Sequence, residues 1–464
     1  MGKMRKMKIT VEIISVLFFS IISYATEPSI EGIWMGTLKV NTNGIRIVFK
    51  ISKDAQGSFS ATMDSPDQGA ANIPVSKVTF ENNKLLLEAQ LLRGGYEGTL
   101  KPDGTFDGQW KQSGTSFPLI LKQTDEAPKV NRPQEPKKPY PYIEEEVTIQ
   151  NPQAKIKLTG TLTIPRSDKP CPAVILISGS GAEDRDETVF GHKPFLVLAD
   201  YLTRKGIAVL RVDDRGVGGS TGDTMSSTSE DFAGDVICEM NYLKTRKKID
   251  AGKIGLTGHS EGGIIAPIVA VKNPAVSFII LLAGTGMTGE EILYLQNKLI
   301  FKNAGASDDV LAKQLEFLKK QFDVIKNESD EKIIKEKIRA ILKSKIGDNN
   351  ELVERTLNQI TSPWFRFFLT YDPRPILRQV KCPMLALNGS LDLQVAPKEN
   401  LSAIEETLKA GGNKNYTIKE LAGLNHLFQK VKTGSVEEYS QIEETISPDA
   451  LEMISSWILE QTGK

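Results

Sequence analysis

The stretch Gly258-His259-Ser260-Glu261-Gly262 sets a serine between two glycines, just after "KIGL" and just before "GIIAPIVAVK". A tight strand-to-helix turn forces its central residue into a strained backbone conformation. Side chains at the flanking positions would collide with the turn or the helix, which is the reason for the glycines. Such a turn lifts the Ser260 hydroxyl above the C-terminal edge of a sheet, at a helix N-terminus whose donors favour developing negative charge. That is how a nucleophilic serine is presented, and such a serine needs a base. The chain has three histidines. His192 precedes the serine, near a helix start. His259 adjoins it, so the turn should direct its ring away from the hydroxyl and leave it a structural role. His426, in "LAGLNHLFQ" after the last expected strand, is the candidate base. Asp392, in "MLALNGSLDLQV", follows a buried-looking strand and is placed to orient the imidazole. Glu290 and Glu291 are the runner-up acids. Asp213 and Asp214, in "DDRG", fit a salt-bridged loop better.

A tetrahedral oxyanion calls for two donors. One is the backbone N–H of Glu261. The other falls in "SGSG" after "AVILI": by position Ser180, with Gly181 as the alternative. Arg185, in "AEDRDE", could meet an anionic substrate group or pair with Asp184, Asp186 or Glu187, and internal pairing is the plainer reading. Trp364, Phe365, Phe367 and Phe368, in "SPWFRFFLTYDP", are candidate walls of a substrate pocket, or else core of the segment that carries them.

These groups need a sheet to hold them. From about residue 143 to 464, apolar runs such as "PAVILIS", "IAVLRV", "KIGLTG" and "FIILLAG" alternate with amphipathic helical segments. Continuous apolar strands alternating with helices predict a mostly parallel sheet covered on both faces. The alternation stops near Gly286 and resumes at "CPMLALNGS". Between them, at about 287–375, Leu311, Leu315, Leu318, Phe322 and Ile325 recur at helical spacing, which predicts a helical insertion. Residues 28–124 read differently. Short alternating runs separated by "NG", "DG" and "NN" predict about eight antiparallel strands in a small β-barrel or sandwich. Residues 125–142 carry Pro128, Pro133, Pro136, Pro139 and Pro141 and read as an extended linker.

The segments "SGSG", "DDRGVGGSTG", "GHSEGG", "NGSLDLQV" and "GLNHLF" together resemble an α/β-hydrolase of the serine carboxylesterase kind over residues 143–464, with Ser260, Asp392 and His426 in that family's chain order. The resemblance implies an eight-stranded sheet, the helical insertion after strand six as a cap, and ester hydrolysis through an acyl-enzyme. Ser178-Gly179 stands where lipase oxyanion loops carry His-Gly, so the resemblance is to esterases rather than true lipases. The N-terminal β-rich domain lies outside it. A thioesterase or peptidase with the same three residues is the nearest alternative. A binding protein that works through its barrel is the alternative from another class, since Gly-x-Trp-x-Gly around Trp34 resembles a lipocalin start.

Composition narrows the partners. Lys plus Arg and Asp plus Glu are equal at 58 each, so no long-range field draws nucleic acid or an anionic surface. The three cysteines, Cys171, Cys238 and Cys382, are scattered and form neither a disulfide framework nor a metal spacing. No metal or organic cofactor is expected, and the substrate is a small or polymer-borne ester. The first eight residues are basic, residues 13–22 are apolar but too short to span a bilayer, and Ser23-Tyr24-Ala25 is a small-x-small site. This pattern predicts a signal peptide over 1–25 and export to a periplasm or the medium, without stable membrane insertion.

Overall fold

The computed structural model describes residues 29–40, 43–112, 115–127, 131–347 and 350–463. The signal-peptide segment, 1–25, lies outside the described residues. The chain divides into two compact units, Met1–Asp64 with Asn72–Ala127, and Ser65–Ala71 with Pro128–Lys464.

The first unit is built on one antiparallel sheet of nine strands that runs nearly in chain order. The strands at its two ends, Ala70–Val75 and Lys77–Glu81, are consecutive in the chain and meet at Ser76, so the sheet nearly closes. Sequence patterning counts about eight because it passes over Ala70–Val75, whose "AANIPV" has little alternation and carries a proline. Inward positions alternate along each strand: Leu85, Leu87 and Ala89 on one, Leu119 and Leu121 on another. Trp34 sits in this core against Phe106, with ring centroids 4.7 Å apart, and its indole N–H donates to the Ile30 carbonyl at 2.8 Å.

The second unit is an α/β-hydrolase fold. Its eight strands lie in the order Ile143–Asn151, Ile156–Ile164, Ala208–Val212, Cys171–Ile177, Ile249–His259, Ile279–Leu282, Met384–Gly389 and Tyr416–Leu421. The first two pair antiparallel, and the six from Ala208–Val212 onward pair parallel. Strand Cys171–Ile177 shows why its sequence is continuously apolar. Cys171, Ala173, Ile175 and Ile177 face one buried cluster, and Val174 and Leu176 face the other. All three cysteines are free.

The insertion after the sixth strand forms six helices, from Gly289–Asn303 to Arg374–Leu377. Phe322, Ile325, Ile334, Ile338, Leu342, Val353 and Leu357 make its own core, which explains the helical stripes in the sequence. The proline-rich stretch is not a free spacer from residue 131 onward. Arg132 donates to the Ile442 and Ser440 carbonyls, and the Gln134 amide donates to the Ile446 carbonyl. The prolines remove donors, and side chains supply the bonds instead. No helix among the described residues is long and apolar enough to cross a membrane.

Candidate active site

Strand Ile249–His259 runs into helix Gly262–Lys272 through Ser260 and Glu261 alone. Ser260 has φ +52°, the left-handed region, and its N–H donates to the Leu282 carbonyl at 2.8 Å. The glycines are required by contact. A Cβ on Gly258 would lie 2.0 Å from the Gly262 carbonyl oxygen, and one on Gly262 would lie 2.3 Å from the Ile177 carbonyl oxygen. The turn therefore closes against the neighbouring strand only without side chains there.

Ser260 opens on a cavity of about 270 Å³ that His426 also lines. The His426 Nδ1 lies 2.8 Å from Asp392 Oδ2, and Asp392 is 1% exposed. The other carboxylate oxygen, Oδ1, accepts the backbone N–H groups of Gln394 at 2.8 Å and Val395 at 2.9 Å. With its carboxylate pinned this way, Asp392 accepts the Nδ1 proton of His426 and leaves Nε2 with a lone pair. The three side chains come from the ends of three different parallel strands, at the edge where open α/β sheets bind ligands.

Ser180 and Glu261 also line this cavity. Neither backbone N–H has an acceptor among the described residues. The Gly179 N–H, by contrast, is held by Glu187 Oε1 at 2.9 Å. Gly181, the alternative donor, does not line the cavity.

Other sequence expectations need correction. Arg185 does not line the cavity. Its guanidinium is taken up by Asp213, at 2.8 and 3.0 Å, and by Glu146 at 2.6 Å, not by the acids of its own loop. Of the four aromatics, Trp364 and Phe368 line the cavity, whereas Phe365 packs into the cap core and Phe367 stacks on Tyr371. All four sit on helix Pro363–Thr370, and its 3.6-residue period turns the i and i+4 pair one way and the rest another. Asp214 is not in a salt bridge. It accepts from the Ser178 hydroxyl at 2.8 Å, and burial pushes its carboxyl up to about 8. Glu290 is paired with Lys326 at 2.6 Å, and Glu291 closes a capping box with Thr288.

Two features were not legible in the sequence. The His259 ring donates from Nε2 to the His426 carbonyl at 3.0 Å and faces Glu187 at 2.8 Å through Nδ1. Burial opposes its charge, but the Glu187 carboxylate overcomes that and pushes the imidazole up to about 9. The structural role expected for His259 is therefore to tie the elbow to the His426 loop. His192 is the opposite case: it is buried against Thr445 and the Tyr439 carbonyl, and desolvation lowers it to about 4. The second feature is Glu183, which lines the cavity beside Ser180. Burial, and then Glu187 and Asp184, push its carboxyl up to about 7.

Glu239 lines a second cavity, of about 40 Å³, with Asp214 and Ser178. Glu239 is 5% exposed. Burial, reinforced by Asp235 and Asp214, holds it well above its ordinary 4.5. The native state thus keeps a proton that the unfolded chain releases. The stability so gained is full below about pH 4.5 and falls as pH rises from there through the raised value. Glu239→Gln, which stays neutral, is expected to narrow the difference in melting temperature between pH 5 and pH 9. Equal pH dependence in variant and parent would show that Glu239 is ionised in the fold.

A sequence profile of the family described as serine aminopeptidase, S33, matches residues 193–430, a span that contains Ser260, Asp392 and His426. Esterase EstD of Thermotoga maritima is 27% identical over 323 residues, covering 70% of this chain and 68% of that protein. Among solved structures, the ferulic acid complex of Est1E from Butyrivibrio proteoclasticus is 17% identical. It covers 68% of this chain and 100% of its own, with a TM-score of 0.40. The Pyrococcus furiosus esterase PF2001 is 16% identical over 72% of this chain and 97% of its own, with a TM-score of 0.44.

Proposed function

The chain belongs to the serine aminopeptidase S33 family of hydrolases, and from that premise we propose an exported carboxylesterase that works through Ser260, His426 and Asp392. The observation that carries the reading is the shared cavity of Ser260 and His426, with Asp392 bonded to the far side of the imidazole. His426 Nε2 takes the Ser260 proton as Oγ attacks the ester carbonyl. The oxyanion is received by the N–H groups of Ser180 and Glu261. The intermediate collapses, and Nε2–H protonates the departing alkoxide. Water then attacks the acyl-enzyme, gives its proton to Nε2, and the acid leaves as Ser260 recovers its hydrogen. Asp392 keeps the imidazole in the competent tautomer and stabilises its transient charge. Export rests on the basic first eight residues, the apolar run 13–22 and the small-x-small site at 23–25.

Labelling with a fluorophosphonate, followed by a panel of esters, thioesters and aminoacyl amides, tests the function. Labelled Ser260 with ester turnover supports it; a chain that takes up no label is not a serine hydrolase. Amide turnover exceeding ester turnover would move the assignment to a peptidase.

Trp364 and Phe368 are expected to select the substrate. Alanine at either should change relative kcat/KM along a chain-length series of esters, because each removes a cavity wall. Phe365→Ala should instead cost stability, up to about 3 kcal/mol, and leave the order of preference alone. Reversal of these two outcomes would move the pocket into the cap core.

A further inference from the structure

The Glu261 carboxylate has no part in the chemistry above, which uses only the backbone of that residue. It is nevertheless 3% exposed at the centre of the site. Its Oε1 accepts the Ser229 hydroxyl at 2.6 Å. Both oxygens lie within reach of the Trp364 indole N–H, at 3.0 and 2.8 Å. These are neutral donors from two separate elements. Ser229 opens helix Ser229–Lys244, and Trp364 belongs to cap helix Pro363–Thr370. An indole N–H can only donate, so the partner must accept. Trp364 in turn stacks on Phe368, with centroids 5.8 Å apart and planes 11° from parallel, and both rings line the cavity.

We propose that the Glu261 carboxylate is a positioning residue for substrate selection: by accepting the Trp364 indole N–H it fixes the cap's aromatic wall to the nucleophile elbow. The proposal rests on the reading of Ser260 as nucleophile. One residue then presents a backbone donor to the oxyanion and, through its side chain, sets how far the cap wall stands from that donor. Acyl or alcohol groups that fit between Trp364 and Ser260 are accepted, and larger ones must displace a buried, charge-assisted hydrogen bond.

The full chain is used for the test, with Trp364→Phe, Glu261→Gln and the double variant. Phenylalanine keeps an aromatic wall and removes the N–H. Glutamine keeps the volume and presents an amide that is half donor. Each is assayed on p-nitrophenyl esters from acetate to decanoate. The ratio of kcat/KM for long over short esters should rise about tenfold in each single variant, the scale of one lost charge-assisted bond. The double variant should be no further changed, because both substitutions act on the same link, phenylalanine by removing its donor and glutamine by removing the charge of its acceptor. An unchanged ratio in the single variants, or ratios that multiply in the double, overturns the proposal. Indole fluorescence reads the link without catalysis. Glu261→Gln should shift emission in the parent chain and leave it unmoved in the Trp364→Phe background. A shift of equal size in both backgrounds overturns the link. Absence of fluorophosphonate on Ser260 in the parent chain overturns the nucleophile instead, and the fluorescence pair still decides the contact.

Discussion

Ser260→Ala is expected to lose on the order of 10⁶ in turnover while the fold is retained, the scale seen when a nucleophile is removed from a Ser-His-Asp set. Retention of the fold follows from the backbone. Serine and alanine carry the same Cβ, so the left-handed φ of +52° costs both residues alike. The 2.8 Å bond from the residue 260 N–H to the Leu282 carbonyl is a main-chain bond that the substitution does not touch. What disappears is the oxygen that opens on the cavity shared with His426. The double variant Ser260→Ala, His426→Ala should be little worse than either single one, since a base without its nucleophile has no proton to take. Kinetics on a soluble ester, with circular dichroism for the fold, decide the matter. Retention of more than about a tenth of the parent turnover in a folded serine variant would remove Ser260 from the reaction, since nucleophile loss elsewhere costs far more.

The parts of this site that sequence reveals are those governed by local rules. The glycine spacing around Ser260 is legible because steric contact across a few residues dictates it. Asp392 is legible because it follows a strand whose apolar run announces it, and His426 because the chain has three histidines and this one follows the last strand. The β-rich and α/β halves separate for the same reason, as period-2 alternation gives way to continuous apolar strands. Side-chain partnerships across the chain are not local. Glu261 and Trp364 are 103 residues apart, and His259 and Glu187 are 72 apart, so no window of sequence contains either pair. A weak signal existed for the first. A glutamate amid glycines and a helix as apolar as "GGIIAPIVAVK" must be buried, and a buried carboxylate must find donors. Arg185 carried no such signal. Its partners are Glu146, on strand Ile143–Asn151, and Asp213, just after strand Ala208–Val212, whereas four acids stand within its own loop. Sequence proximity favoured the wrong partners because a tight loop cannot always fold its own charges together.

Asp392→Asn is expected to lower kcat by roughly 10⁴, far more than the loss of one ordinary hydrogen bond, because it reverses the imidazole's tautomer. The geometry leaves asparagine no good orientation. Oδ1 of Asp392 holds two backbone donors, Gln394 N–H and Val395 N–H, and Oδ2 faces His426 Nδ1. An amide has one oxygen for these two places. If the oxygen stays with the two N–H groups, the NH₂ faces Nδ1, which must then accept, and the ring proton moves to Nε2. The lone pair meant for the Ser260 proton is lost. If the amide flips, its NH₂ meets two backbone donors in a site where residue 392 is 1% exposed, and a buried unsatisfied donor costs about 1–3 kcal/mol. The first orientation satisfies more bonds and is the inactive one. Glu290→Gln and Glu291→Gln serve as controls. Their carboxylates are engaged with Lys326 and with the Thr288 cap, so turnover should change by less than about threefold, in line with the small worth of exposed pairs. The measurement is kcat on one soluble ester for all three variants, with thermal melts to set aside unfolding. If Glu290→Gln or Glu291→Gln proved the crippling change while Asp392→Asn retained its turnover, the orienting acid would sit after the sixth strand rather than the seventh.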